Sequence, residues 1–360
     1  MASLRRHSDH REHIMATADA SQGTPAQASP DPGAVGLIGL GEIGQVHAAA
    51  VRRSAAARLV AVADTVPELV APFEAQGVRG YTGASELIAD PRVGTVCVCL
   101  PHHLHFPVAM AAIRAGQNVL VEKPLAVSLD EATRLVDAAA AAGVALGVSH
   151  NQVFYAPHAE AKRLIEAGAI GTPVLIRLRL GMGPQWGGWR DSPCQAGGGL
   201  LADAGVHRLY LALYLFGPVR EVRAVLDAPR QQGETFAVVI LRFRSGALGI
   251  IEANHHGPPG TFDDEIEITG SDATLHLAGI ESLSVGYRAG APLSMFRDRR
   301  WREVPVRPDD WQASVQASVA AYLDAVIAGR EPPVTGAAAL DTMRLLDRIY
   351  DTATILPAAG

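Results

Sequence analysis

The chain has 360 residues, of which 48% are hydrophobic and 19% charged, with a formal net charge of −6. That composition excludes a largely disordered chain and suits a well-filled globule of two domains. The negative balance leaves no electrostatic footprint for nucleic acid or an anionic membrane, and no apolar run reaches the roughly 18 residues of a membrane span.

Met1 to Gly33 is rich in Ala, Ser, Asp, Pro, His and Arg, without apolar periodicity or the hydrophobic stretch of a signal peptide. A disordered extension is expected there, and Met15 could serve as an alternative start. Order should begin at Ala34. A short apolar strand, Ala34 to Leu40, runs into Gly39-Leu40-Gly41-Glu42-Ile43-Gly44 and then an alanine-rich helix from about Gln45 to Arg53. This is G-x-G-x-x-G in the strand-to-helix setting it requires. Gly39 permits the tight turn, Gly41 lets a pyrophosphate approach the backbone, and Gly44 lets helix pack on strand. The helix amino end, with Glu42 and Ile43, then faces the phosphates.

A second strand, Arg58 to Ala63, ends at Asp64, twenty residues after Gly44. A carboxylate there accepts both ribose hydroxyls of NAD and repels a 2′-phosphate. No arginine follows within a dozen residues, so NAD is expected in preference to NADP. A helix from Pro67 to Gln76, a turn region, a strand Val93 to Leu100, a helix Leu104 to Ala115, a strand Asn118 to Val121, a helix Ser128 to Ala142 and a strand Val144 to Val148 continue the alternation. Such alternation predicts a parallel, doubly wound sheet with ligands outside the strand carboxyl ends. Ser128 and Glu131 form a capping box for the last helix. Three loops should therefore converge on one crevice: the glycine turn, Leu100-Pro101-His102-His103-Leu104-His105, and Glu122-Lys123-Pro124. His102 and His105 are expected to contact the cofactor, and no metal is expected.

Lys123 and Lys162 are the two lysines among 31 basic residues. A lysine at a strand's carboxyl end suggests work that a guanidinium cannot do, since an ammonium is compact and its charge responds to burial. Snorkelling from the strand end is the plain alternative. Cys97, Cys99 and Cys194 form no C-x-x-C and read as core filling in a reducing cytoplasm.

The second half opens with a helix, Pro157 to Ala167, and strands at Val174 to Leu180, Val219 to Asp227, Thr235 to Arg244, Ala247 to Ala253, Asp264 to Thr269, Ala273 to Leu277 and Ser282 to Tyr287. β-Branched residues between Gly, Asp and Pro predict a largely antiparallel sheet. Trp311 to Ala328 and Ala337 to Tyr350 are closing helices. Between strands, Gly197-Gly198-Gly199 precedes an apolar helix running to Phe216 on which Asp203, His207 and Tyr210 stand at i, i+4 and i+7, forming one polar stripe. Asp203 and His207 can satisfy each other, either as a brace for the core or as a catalytic pair. With a nicotinamide site in the same chain, histidine can accept a hydroxyl proton while lysine supports the developing alkoxide.

Gly39-x-Gly41-x-x-Gly44, Pro101 with His105, Glu122-Lys123-Pro124, Trp189-Arg190 and Gly197-Gly198-Gly199-x-x-x-Asp203-x-Gly205-x-His207 together resemble the glucose-fructose oxidoreductase, inositol dehydrogenase and MocA family. The resemblance spans Ala34 to Pro357. It implies a Rossmann domain (34–150), a substrate and oligomerisation α/β domain with an open, mostly antiparallel sheet (151–335), and a carboxyl-terminal helix packing back on the body (336–360). It further implies a homodimer or homotetramer through that sheet, and Lys123, Asp203 and His207 as a catalytic trio with His207 the proton acceptor. His102 stands where members often carry Asn or Thr, and Tyr210 where many carry aspartate. Asn151, Tyr155, Trp189, Arg190 and Tyr210 are candidate contacts for a small polyhydroxylated substrate, although Trp189 would serve equally in a core and Arg190 in a surface ion pair. The expected activity is NAD-dependent hydride transfer between a secondary alcohol and its ketone. A redox-neutral enzyme with tightly held NAD and a non-catalytic NAD-responsive regulator are the alternatives.

Overall fold

The computed structural model describes residues 31–183, 187–279, 283–286, 290–307 and 309–356. Residues 1–30 of the expected disordered extension, Met15 among them, lie outside these. Asp31 anchors the start of the described chain by accepting the Gly33 N–H (2.9 Å) and pairing with Arg58 (2.8 Å).

Six strands form the first sheet: β1 (Ala34–Ile38), β2 (Arg58–Ala63), β3 (Arg79–Tyr81), β4 (Thr95–Val98), β5 (Asn118–Glu122) and β6 (Leu146–Ser149). They lie in the order β3-β2-β1-β4-β5-β6, every pair parallel. β1 and β4 are buried along their whole lengths, as central strands covered on both faces must be. Helices α1 (Glu42–Arg53), α2 (Pro67–Glu74), α3 (Ala84–Ile88), α4 (His102–Arg114) and α5 (Leu129–Ala142) make the crossovers. Ser128 caps α5 by accepting the Glu131 N–H at 3.2 Å. The strand order reverses between β1 and β4, which puts the ligand crevice above their carboxyl ends. β3 and α3 occupy the stretch expected as a turn region; at three and five residues they are too short to show a period.

The second sheet has ten strands: β7 (Pro173–Met182), β8 (Val219–Leu226), β9 (Phe236–Phe243), β10 (Leu248–Asn254), β11 (Phe262–Asp263), β12 (Ile266–Gly270), β13 (Thr274–Leu277), β14 (Leu293–Arg297), β15 (Arg300–Glu303) and β16 (Thr354–Ile355). Their order is β15-β14-β13-β12-β7-β10-β9-β8-β16, with β11 paired to β7. Pairing is antiparallel except at β7–β10 and β8–β16. Burial alternates along β7, β9 and β10, so one face is packed and the other open. The packed face meets α6 (Ala156–Glu166), α8 (Val206–Phe216) and α10 (Gly336–Thr352), and the short α7 (Pro193–Ala196) lies just ahead of the Gly197–Gly199 run. The strand expected at Ser282 to Tyr287 is not formed: Leu283 donates to the Gly279 carbonyl and Gly286 to that of Leu283, as in a helical turn, while Ser282 and Tyr287 lie outside the described residues.

The helix α9 (Trp311–Ile327), expected as part of the second half, returns to the first. Its Val319, Tyr322, Leu323 and Val326 share a core with Val35, Leu37 and Val51, and the Tyr322 hydroxyl donates to the Ala145 carbonyl at 3.2 Å. α10 packs on α5 as well as on β8, so the closing helices bind the two sheets together. α9 thereby supplies a wall of the crevice.

Candidate active site

The glycine turn is shaped by contacts that leave no room for side chains. Gly39 has φ +91°, and a Cβ there would lie 2.1 Å from the Cys99 carbonyl oxygen. A Cβ at Gly44 would lie 2.0 Å from the Gly39 oxygen, so α1 can approach β1 only with glycine at that position. Gly41 faces open space. Asp64 fixes the turn from the side: its carboxylate accepts the Leu40 N–H (2.7 Å) and the Val66 N–H (2.9 Å). Around these residues lies a cleft of about 670 Å³ that also takes in Thr65, Thr82, Gly83 and Ala84. An open glycine at a helix amino end with a carboxylate at the next strand end fits an NAD pyrophosphate and ribose.

The same cleft continues to Lys123, His102, Asn151, Trp189, Arg190, His207 and Trp311. β5 delivers Lys123 with its ammonium against Asp203, 2.9 Å from the backbone carbonyl and 3.3 Å from Oδ1. An ammonium has three donors. Asp203 takes two, so one is left for a ligand. Behind it, Glu122 Oε1 pairs with His47 Nε2 of α1 (2.8 Å) and Oε2 accepts the Lys123 N–H (3.2 Å). Burial works against ionisation of Glu122, but the His47 contact holds its carboxyl below the usual range. The glycine-turn helix and the lysine loop are thus joined through one buried pair.

Asp203 is the centre of the cluster. Besides Lys123, its Oδ1 lies 3.4 Å from His102 Nε2 and its Oδ2 accepts the Arg190 Nε–H at 3.3 Å. Burial opposes its ionisation, but the Lys123 ammonium, with the His102 and Arg190 contacts beside it, holds the carboxyl below the usual range. Leu201–Gly205 form a π-helical turn ahead of α8. Its wider winding rotates Asp203 off the stripe that regular α geometry would give. The expected mutual satisfaction of Asp203 and His207 is therefore corrected, because Asp203 spends its carboxylate on the cations. His207 Nδ1 is buried with no hydrogen-bond partner among the described residues, which leaves Nε2 for the cleft. Burial, together with the Lys123 charge, pushes the His207 pKa well below its ordinary value. The ring is therefore uncharged.

Matches with known proteins decide the family. Residues 34–150 match the oxidoreductase family model with an NAD-binding Rossmann fold, and residues 158–276 match the carboxyl-terminal domain model of the GFO/IDH/MocA proteins. The chain belongs to the GFO/IDH/MocA family. It is 30% identical over 323 residues to the myo-inositol 2-dehydrogenase of Thermotoga maritima, covering 84% of this chain and 90% of that protein. It is also 30% identical over 300 residues to the levoglucosan dehydrogenase of Pseudarthrobacter phenanthrenivorans, covering 70% and 76%. Among solved structures, an NAD-binding oxidoreductase from Klebsiella pneumoniae superposes with a TM-score of 0.78 at 28% identity over 88% of this chain and 96% of that one. An Agrobacterium radiobacter oxidoreductase in complex with NAD+, L-tartaric acid and magnesium gives 0.76 at 25% identity, over 88% and 95%. As a GFO/IDH/MocA protein the chain is an NAD-dependent oxidoreductase of the class acting on CH–OH groups.

Most of the cofactor residues expected from the GFO/IDH/MocA motifs line the cleft: Gly39, Gly41, Glu42, Ile43, Asp64, Leu100, Pro101, His102, Glu122 and Lys123. Asn151, Trp189 and Arg190 line it too, with the Asn151 amide held by Ser314 Oγ of α9 at 2.8 Å. Three expectations are corrected. His105 is fully buried within α4 and bridges the carbonyls of Pro124 (2.7 Å) and Leu100 (2.8 Å), so it staples two loops instead of touching cofactor. Tyr155 is core, edge-on to His158 at 5.1 Å. Tyr210, three residues beyond His207 on α8, is buried and stacked on His150 at 4.1 Å instead of lining the cleft. Sequence reasoning missed Glu234, whose buried carboxylate accepts the Gly199 N–H (3.1 Å), the Leu201 N–H (2.8 Å) and the Tyr350 hydroxyl (2.9 Å), fixing the glycine run. It also missed Arg230, which donates to the Gly197 and Val127 carbonyls and pairs with Asp347 of α10. Only distance in sequence hid these. Among the described residues no group of three or more His, Cys, Asp or Glu side chains is arranged to hold a metal.

Proposed function

We propose that the enzyme oxidises a secondary alcohol of a sugar, cyclitol or similar polyol to the ketone, or runs the reverse reaction, with Lys123, Asp203 and His207 as its catalytic group. The observation that carries this is the Lys123 ammonium, held by Asp203 at two points with one donor spare, in the same cleft as a neutral His207. NAD, held by the Gly39–Gly44 turn and Asp64, supplies the hydride acceptor when bound, so that alcohol and NAD+ give ketone, NADH and a proton. Lys123 donates to the substrate oxygen and supports the negative charge that grows there. His207 takes the hydroxyl proton at Nε2, and its depressed basicity means it needs no prior deprotonation at neutral pH. Asp203 positions Lys123 and offsets its charge. Trp189 and Trp311 give the cleft apolar walls beside these groups.

The test is nicotinamide absorbance with purified enzyme, NAD+ and a panel of polyols. Net NADH from one of them, lost by at least about a hundredfold in Lys123→Ala and His207→Ala, supports the assignment. Full activity in either variant overturns it, and ketone formed without net NADH would point to a redox-neutral cycle.

The division into residues 34–150, 151–335 and 336–360 belongs to the same reading, with α9 crossing it. A homodimer or homotetramer is proposed through the open face of the second sheet. Ile240, Leu248, Phe296 and Trp301 are exposed there at 49%, 38%, 38% and 54%, an apolar surface that a second copy would cover. Light scattering on the enzyme and on Ile240→Lys tests it. A cytoplasmic site follows from three free cysteines, and fractionation of the producing cells checks it. No helix among the described residues is long and apolar enough to cross a membrane.

A further inference from the structure

We propose that the substrate carries a carboxylate, received by the guanidinium of Arg190, so that the enzyme acts on a sugar acid or comparable hydroxy acid. The inference deepens the polyol-oxidoreductase reading and rests on it. It starts from the arrangement of charged groups at the substrate end of the cleft. Lys123 and Arg190 both reach it, and Asp203 sits between them, one carboxylate oxygen on each. Glu122 is already engaged by His47 and the lysine backbone. Burial keeps the neighbouring His102 and His207 uncharged. The donors to spare at this end are then those of Lys123 and Arg190.

The geometry of Arg190 says where an anion would sit. Its Nε is spent on Asp203 Oδ2, and the guanidinium carbon lies 4.3 Å from the centre of the Trp189 ring, which fixes the plane of the fork. Trp189 is itself held edge-on to His102 at 4.4 Å, and the His102 ring is held by the Ala196 carbonyl at 2.9 Å. The two terminal amino groups of Arg190 have no acceptor among the described residues, and the side chain is 43% exposed on the cleft wall. A structural ion pair would have used the fork on Asp203. Instead the weaker single-donor edge is used and the bidentate edge is presented to the cleft. Two parallel N–H donors match a carboxylate, which planar pairing makes stronger than a neutral contact. Lys123 and Arg190 touch opposite oxygens of one carboxylate, so a reacting carbinol at the ammonium and an acid group at the fork fall within one small molecule.

Matched pairs decide it: hexuronates against their methyl esters and aldonates against the corresponding alditols, assayed with NAD+ by nicotinamide absorbance and by calorimetric titration of the enzyme–NADH complex. The expected result is a kcat/KM for the best acid about 10- to 100-fold above its neutral partner, the span of a charge-assisted hydrogen bond. Arg190→Gln should bring that ratio to within about threefold, chiefly through KM, and should abolish the calorimetric preference for the acid. Neutral partners handled as well as the acids, or a preference that survives Arg190→Gln, would overturn the carboxylate while leaving polyol oxidation standing. No NADH from any compound would overturn the oxidoreductase reading, and the titration would still decide whether the acids bind through Arg190. Should Arg190→Gln fail to fold, the acid-to-neutral ratio of the unaltered enzyme decides alone.

Discussion

Asp203→Asn separates two accounts of this residue. If Asp203 oriented His207, removing its charge would change the basicity of the imidazole and move the acid limb of the kcat/KM profile. In this structure the carboxylate lies on Lys123 Nζ (3.3 Å), Arg190 Nε (3.3 Å) and His102 Nε2 (3.4 Å) instead. The amide keeps the shape and loses the charge, while Lys123 keeps its 2.9 Å contact with the Asp203 carbonyl. One charge-assisted contact to the lysine is then lost, worth about 1.5–3 kcal/mol, or about 10- to 100-fold in kcat/KM. The acid limb should stay within about 0.3 pH unit, because the groups that depress His207 are burial and the charges of Lys123 and its other neighbours, all still present. The double variant with Lys123→Met should be no worse than Lys123→Met alone by more than about threefold, since both changes break the same interaction. Steady-state rates from pH 5 to 9, with circular dichroism to verify folding, give all three quantities. Additive losses in the double variant, or a limb displaced by a full unit, would refute a role through lysine.

Asp64→Ala removes the acceptor of two loop N–H groups as well as the ribose carboxylate, so KM for NAD should rise about 10- to 100-fold with kcat less affected; initial rates against NAD concentration check it. Glu234→Ala leaves the buried Gly199 and Leu201 N–H groups without their acceptor. It should destabilise the protein by about 2–5 kcal/mol and lower kcat, because those residues begin the segment carrying Asp203 and His207; thermal denaturation reads the first effect and NADH formation the second. Acid should unfold the protein early. Burial depresses His150 and His158 to about 3, so both are neutral in the fold while the unfolded chain, near 6.5, takes up protons first. Their contribution is fully present above pH 6.5 and falls as pH drops toward 3, each losing about 2 kcal/mol by pH 5. Urea unfolding at pH 7 and pH 5 should differ by at least these contributions, and His158→Asn should reduce the difference by its own share, about 2 kcal/mol.

The Rossmann half was legible because its strands are continuous apolar runs that end in turn residues, and because the G-x-G-x-x-G spacing has one physical use when a strand precedes it and a helix follows. Where local chemistry was silent, reading stopped. The β14–β15 hairpin turns on Asp298 and Arg299, both with positive φ (53° and 62°), residues that carry no Asn-Gly or Asp-Gly signal. Its strands are exposed along most of their length, so no alternation marks them. The Ser282 to Tyr287 stretch alternates like a strand, yet its described residues, Leu283 to Gly286, form a turn. The far wall of the cleft comes from Trp311 and Val315 of α9, which no local pattern links to a glycine turn more than 260 residues earlier.

The spacing Asp203-x-Gly205-x-His207 misled for a more instructive reason. A periodic stripe presumes 3.6 residues per turn, and the five residues Leu201–Gly205 wind more widely. Had the helix been regular, the carboxylate would have stacked beneath His207 and raised its basicity, leaving Lys123 and Arg190 to repel each other across the cleft. With the wider turn the negative charge goes to the two cations instead. The imidazole is left uncharged beside a positive ammonium, the state in which one group can remove a hydroxyl proton while the other holds the oxygen left behind. The same placement limits what Asp203 can neutralise. It takes one donor of Arg190, and the rest of the fork stays exposed where a substrate can meet it.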